Sequence, residues 1–201
     1  MTNESSSEVS VSPLDGADAE RYVQAVLASA DYEQFRNELG QEKGQTFTPQ
    51  EQEATALRIE SGPEQEVSVH VPISGGAGQS FYGAILDPDT AAVRRTVSGV
   101  FDWTSEDTIA ALVKRDGAVA LEAVMTPEGH VVSGTNVTMG VIDCVNDCLH
   151  EAEINGLLIA TIIAVCGPVC TVTVGTGCIA CIASLIGVVS GTLLGCLRRC
   201  A

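Results

Sequence analysis

Apolar positions along the chain change their period twice. From Ala17 to Leu39, the residues Tyr22, Val23, Val26, Leu27, Ala30, Phe35 and Leu39 recur at three- and four-residue steps, and Gly40 follows as a stop. That spacing predicts one amphipathic helix, with Ala30–Asp31 as the place where it would break. The period then falls to two. "TALRIES" sets Thr55, Leu57 and Ile59 against Ala56, Arg58 and Glu60, and "EVSVHVPIS" sets Val67, Val69, Val71 and Ile73 against Ser68, His70, Pro72 and Ser74. Pro72 reads as an edge or a strand end, because proline cannot donate to a ladder. "GGAGQ" is a turn into "SFYGAIL", Asp87-Pro88-Asp89 turns into "AVRRTVSGVFDW", and Asp116-Gly117 and Glu128-Gly129 are hairpin signals around "GAVALEAVM". "SEDTIAALVKRDG" fits a strand closing that hairpin better than a helix capped by Ser105, and "VVSGTNVTMG" runs out as a last strand and linker.

The third regime starts at Asp143. No charged side chain occurs from Ile154 to Leu197, and the cysteines fall in four close pairs: Cys144/Cys148, Cys166/Cys170, Cys178/Cys181 and Cys196/Cys200. Spacings of three and four place both sulfurs of a pair on one helical face. Asp143 stands at an N-cap, Asp147, Glu151 and Glu153 lie near the same positive end, and Arg198 and Arg199 lie at the far negative one. The pattern predicts two helices, 144–165 and 178–199, joined by a Gly-Pro and Gly-Thr-Gly turn. The expected class is therefore α+β: an N-terminal helix and an antiparallel meander of five to seven strands with one solvated side, followed by a cysteine-rich apolar helical hairpin. Residues 1–16, polar and acidic, are expected to be a disordered lead, 17–140 an acidic α+β domain, and 141–201 the cysteine-rich domain.

Charge divides the chain in the same place. The net −16 of the 201 residues is concentrated in residues 1–140, with −14, leaving −2 for 141–201. Acid-rich, lysine-poor composition has three readings: solvation in high salt, a partner for cationic surfaces, or ordinary acidic drift; a salt-loving source is preferred, because the screening length there is on the order of 3 Å at 1 M and self-repulsion matters little. The same charge argues against nucleic acid as a partner.

The acidic portion offers little chemistry. "SGGAGQS" lacks the Gly-Lys-Ser/Thr that grips phosphate and magnesium and reads as a turn. His70 and His130 have no cysteine or carboxylate at ligand spacing and are expected to be exposed or structural. Trp103, the single tryptophan, is expected to anchor the core. Asn136 opens an N-glycosylation tripeptide of a kind common by chance.

Four explanations compete for the cysteines. A zinc site would need polar turns and paired two-residue spacings, and only Cys178/Cys181 has that spacing. A thiol-exchange unit at Cys178/Cys181 would need nearby positive charge, which is missing there. A transmembrane hairpin has the length, since 157–174 and 178–197 are free of charge, but has no need of so many cysteines. A small exported peptide, too short to build a sufficient core, gains roughly 2–4 kcal/mol from each bridge. All eight cysteines, Cys144, Cys148, Cys166, Cys170, Cys178, Cys181, Cys196 and Cys200, then become disulfides, with connectivity left open and a preference for the outer pairs bridging each other.

With "VCGPVC", "GCIAC" and a cysteine at position 200, the layout of 143–201 resembles the precursors of microhalocins, the halocin-type peptide bacteriocins of haloarchaea. The resemblance implies a long acidic N-terminal protein and an apolar C-terminal peptide released by a processing protease; the residues themselves do not fix the cleavage point, and the hinge at 134–140 is the place to look for it. The resemblance further implies that residues 17–140 act as an immunity portion that sequesters the peptide.

The expected function is thus the precursor of a secreted, disulfide-stapled antimicrobial peptide. It would act on a target-cell membrane through Leu157, Ile159, Ile162, Ile163, Leu185, Val188, Val189 and Leu193. No catalytic group, metal or cofactor enters this expectation, and its partners are the target membrane, the chain's own N-terminal domain and the protease. The N-terminus carries no secretory signal, and the arginine pairs at 94–95 and 198–199 are misplaced for a twin-arginine one. The alternative is a membrane-anchored protein with a C-terminal two-helix transmembrane hairpin and an acidic aqueous domain.

Overall fold

A computed structural model of the chain describes residues 9–39, 46–61, 63–127, 131–135, 161–162, 166 and 181–185. In it the alternation of Val9 and Val11 with Ser10 and Ser12 becomes strand β1 (Val9–Pro13), so this part of the expected disordered lead is ordered. Two helices follow, α1 (Gly16–Leu27) and α2 (Ala30–Leu39), in place of the single one expected. The break falls at Ala28–Ser29, just before the expected point. The Ser29 hydroxyl donates to the Val26 carbonyl (2.7 Å) and accepts from the Tyr32 N–H (3.2 Å). One side chain therefore closes α1 and caps α2.

The remaining strands are β2 (Thr48–Pro49), β3 (Thr55–Ser61), β4 (Glu64–Ser74), β5 (Ser80–Leu86), β6 (Val93–Ser105), β7 (Thr108–Arg115), β8 (Ala118–Met125) and β9 (Val131–Thr135). They form one antiparallel nine-stranded sheet in the order β1-β3-β4-β5-β6-β7-β8-β9, with β2 paired to the end of β4. Sequence neighbours pair throughout from β3 to β9, as a meander with short turns requires. Asp116 and Gly117 both have positive φ, 50° and 76°. This is the two-residue turn whose twist matches a hairpin, and it confirms β7 as a strand.

Pro72 lies inside the sheet, not at its edge. β3 starts at Thr55 opposite His70 and β2 ends at Pro49 opposite Ile73, so Pro72 sits in the gap between them. Its carbonyl accepts from the Gln50 N–H at 2.8 Å, on that same side. In an extended strand the N and C=O of one residue point the same way, so the proline nitrogen also faces the gap. Its missing hydrogen therefore costs no bond to β5.

The sheet has two different faces. On the first, Val67, Val69, Val71, Ile73, Tyr82, Ala84 and Leu86 pack against Tyr22, Val26, Tyr32, Phe35 and Leu39 of the helices. Tyr22 also reaches over to donate to the Pro88 carbonyl, which pins α1 to the turn between β5 and β6. Beyond the helices this face opens over β6 to β9 into a shallow concavity of about 420 Å³, floored by Val100, Leu112 and Val124 and rimmed by Asp102 and Glu122. On the second face, Leu57, Ile59, Phe101, Ile109, Val113, Leu121 and Met125 are buried from β3 through β8. β5 is buried at every position, because it is covered on both sides. That is why "SFYGAIL" shows no alternation.

The expected class is corrected accordingly. The molecule is dominated by the nine-stranded sheet with two short helices, and the second face of the sheet is not solvated. Among the described residues, no C-terminal helical hairpin is present. Of the residues assigned to it, 161–162, 166 and 181–185 are described, and all of them are buried. Ile162 and Leu185, expected to face a membrane, are 2% and 1% exposed. Leu157, Ile159, Ile163, Val188, Val189 and Leu193 lie outside the described residues, as do Cys144, Cys148, Cys170, Cys178, Cys196, Cys200, His130 and Asn136. Among the described residues, no helix is long and apolar enough to cross a membrane. Trp103 is also corrected: it is 41% exposed, at the end of β6 where the register shifts, and the buried anchors are Tyr32, Phe81 and Phe101.

Candidate functional site

One contact among the described residues joins positions 114 apart in sequence. On β4, Glu66, Ser68 and His70 form a polar row on the second face, with Leu57 and Ile59 beside them on β3 and Gly83 and Ile85 on β5. Residues 181–185, a helical turn, lie on this row. Ala183 packs with Leu57, Ile59 and Ile85, and Val11 of β1 closes the cluster. His70 Nδ1 is 3.0 Å from the Ser184 carbonyl oxygen. A carbonyl only accepts, so Nδ1 carries the hydrogen. The imidazole is held from below by Phe81, at 5.9 Å between centroids and 19° between planes. Directly across the ladder from His70 stands Gly83. A Cβ there would be 2.3 Å from the Ser184 oxygen and 2.8 Å from its carbonyl carbon.

Cys181 begins this turn and is bonded to Cys166, 15 residues earlier. Both are buried, at 4% and 0% exposure. Their pairing takes one cysteine from each of two close pairs. Cys181 is therefore neither half of a Cys178/Cys181 dithiol nor a thiolate available to zinc. Among the described residues, no three His, Cys, Asp or Glu side chains converge as metal ligands.

Burial sets the electrostatics of the polar row. It depresses the His70 pKa below its usual 6.5, and the Ser184 carbonyl opposes this only in part. It raises the Glu66 carboxyl above its usual 4.5, against the pull of Arg95 and Arg94. The Glu66 Oε2 and Ser68 Oγ atoms are buried without hydrogen-bond partners among the described residues. The groups around His70 on its flanking strands are Thr55, Phe81 and Gly83, with Glu66 further along its own strand face.

A pH dependence follows, with opposite signs for the two groups. A depressed histidine pKa means the unfolded chain binds more protons, so the His70 contribution is present above about 6.5 and is lost as pH falls through its lower folded value. The Glu66 contribution is present below its usual 4.5 and is lost as pH rises through its elevated folded value. Thermal melts between pH 7.5 and 5 are expected to fall more steeply for the wild type than for H70Q; equal slopes would remove His70 as the source.

Alternation puts His70 on a strand face, where the structure has it, but does not tell an exposed histidine from a structural one, and it does not single out Gly83. The available signal was a lone glycine inside an unbroken apolar strand, which marks a close backbone approach. No protein-family model, curated protein or solved structure matches the chain.

Proposed function

We propose that the chain is the precursor of a disulfide-bonded, bacteriocin-type antimicrobial peptide, with its β-sheet domain holding the apolar cysteine segment until the segment is released. What carries this reading is the seating of residues 181–185 against His70, Gly83 and the Leu57–Ile59–Ile85 cluster. A charge-free segment exposed to water would be a large apolar patch and would aggregate. Residues 181–185 lie on a buried face of the sheet in an acidic domain, which keeps that part of the segment from water. On release, the same apolar surface would be free to partition into a target bilayer. The segment's near-neutral charge and its covalent bridging suit a small peptide that survives outside the cell.

The test is the intact mass of species in the culture supernatant, before and after reduction. A fragment containing the cysteine segment, gaining two hydrogens per bridge on reduction and giving a zone of inhibition, is expected. Recovery of only the full-length chain, confined to the membrane fraction with free thiols, would overturn the precursor reading and favour a membrane-anchored protein.

A further inference from the structure

Gly83 is the one position of β5 without a side chain, in a strand whose every residue is buried. Glycine inside a strand loses the most entropy on folding and packs nothing, so its place here needs a spatial reason. The reason is the segment above it. The atoms that a Cβ at 83 would meet, within 2.3 to 2.8 Å, are the Ser184 carbonyl oxygen, carbonyl carbon and Cβ. Backbone atoms cannot rotate aside as a long side chain would.

The neighbour across the ladder acts on the same group. His70 donates to the oxygen for which Gly83 makes room. Ser184 complements both: its own hydroxyl donates back to the Cys181 carbonyl at 2.7 Å, so it folds onto its own turn and leaves only a small surface toward the sheet. Ala183 beside it is equally small and fills the Leu57–Ile59–Ile85 cluster.

We propose that the His70–Gly83 pair is a selectivity element. It admits an apolar helical segment only where a small residue brings its main-chain carbonyl down onto the sheet, so the domain retains its own cysteine segment and rejects stretches with leucine or isoleucine at that point. This rests on the retention reading above, and names what that retention recognises. The hydrophobic faces elsewhere on the sheet supply affinity without direction. A glycine and a buried donor at one cross-strand position supply the discrimination, since a wrong segment both clashes and leaves the imidazole unpaired.

The experiment uses the full chain with a protease site inserted between Thr135 and Asp143, cut after folding and passed over a sizing column without reductant. The wild-type fragments are expected to co-elute. G83V and S184L are each expected to reduce the retained fraction roughly 10-fold, the ordinary effect of overpacking a fitted contact. H70A is expected to reduce it about 2- to 10-fold, with H70Q, which keeps an N–H donor, recovering most of the loss. S184L leaves the sheet domain unaltered, so it reads selectivity even if G83V disturbs folding. Retention of the G83V and S184L segments at wild-type levels would overturn selectivity while leaving retention standing. Separation of the wild-type fragments would overturn retention itself. H70Q behaving like H70A would remove the donor role of His70.

Discussion

Replacing Phe81 with alanine is expected to destabilise the chain by about 4 kcal/mol, seen as a lowered urea midpoint at unchanged slope. Phe81 is 1% exposed on β5 and belongs to the second face of the sheet. Its ring stacks on His70, is tilted at 6.5 Å from Phe101, and covers Gly99, where an added Cβ would come within 2.5 Å of it. Alanine would leave a cavity bounded by strands on both sides, which cannot collapse without breaking ladder bonds on β4 and β6. The aromatic contacts add roughly 0.5–1.5 kcal/mol each beyond area burial. The loss also reaches the docking contact, because the stacked ring is what orients the imidazole toward Ser184. F81L should recover most of the volume but not the stacking, and so should restore stability more than it restores segment retention. If F81A and F81L are both mild, within about 1 kcal/mol of wild type, the ring is not the anchor of this face.

How far the fold was legible depends on which residues one reads. Between Thr55 and Met125, outside the unbroken apolar run of β5, the alternation of apolar and polar positions, punctuated by Asp116-Gly117 and the glycine turn at 75–79, carries strand identity and order. A meander needs only local pairing, and local pairing is what alternation and turn chemistry encode. Three places in the chain show where that stops. Val9 and Val11 alternate as clearly as the later strands do, but two valines among serines and glutamates do not outweigh a disordered composition; their order depends on pairing with Ser61 and Ile59, some fifty residues away. Pro72 read as an edge or a strand end because its missing N–H must face something other than a strand, and the offset between β3 and β2 provides such a gap inside the sheet. His70 read as exposed or structural, with no choice between the two, because alternation gives the face of a strand but not what covers that face. The cover comes from Ser184, 114 positions later. A segment that is apolar on every side carries no pattern naming its partner, so neither the docking nor the purpose of Gly83 could be deduced from spacing alone.

Removing the bridge with the double substitution C166A/C181A is expected to act on the docked segment more than on the sheet. The bond joins residues 15 apart in the same part of the chain, and neither cysteine is bonded to a strand. A closed loop of about 15 residues restricts the open state by roughly 3 kcal/mol, which is a factor on the order of 100 in the opening equilibrium. Amide exchange at 182–185 should therefore accelerate roughly 100-fold. Exchange in β7 and β8, held by their own ladders and by Ile109, Val113, Leu121 and Met125, should change far less. The double substitution is the informative one, because a single change would leave an unpaired buried thiol free to exchange with other cysteines of the segment. The two possible outcomes separate two physical pictures. If only 182–185 loosens, the bridge pre-shapes a detachable unit and the sheet is an independent holder, as retention followed by release requires. If the strands loosen by the same factor, the segment and the sheet are one cooperative core, and the second face of the sheet is stable only while Ala183 and Ser184 lie on it.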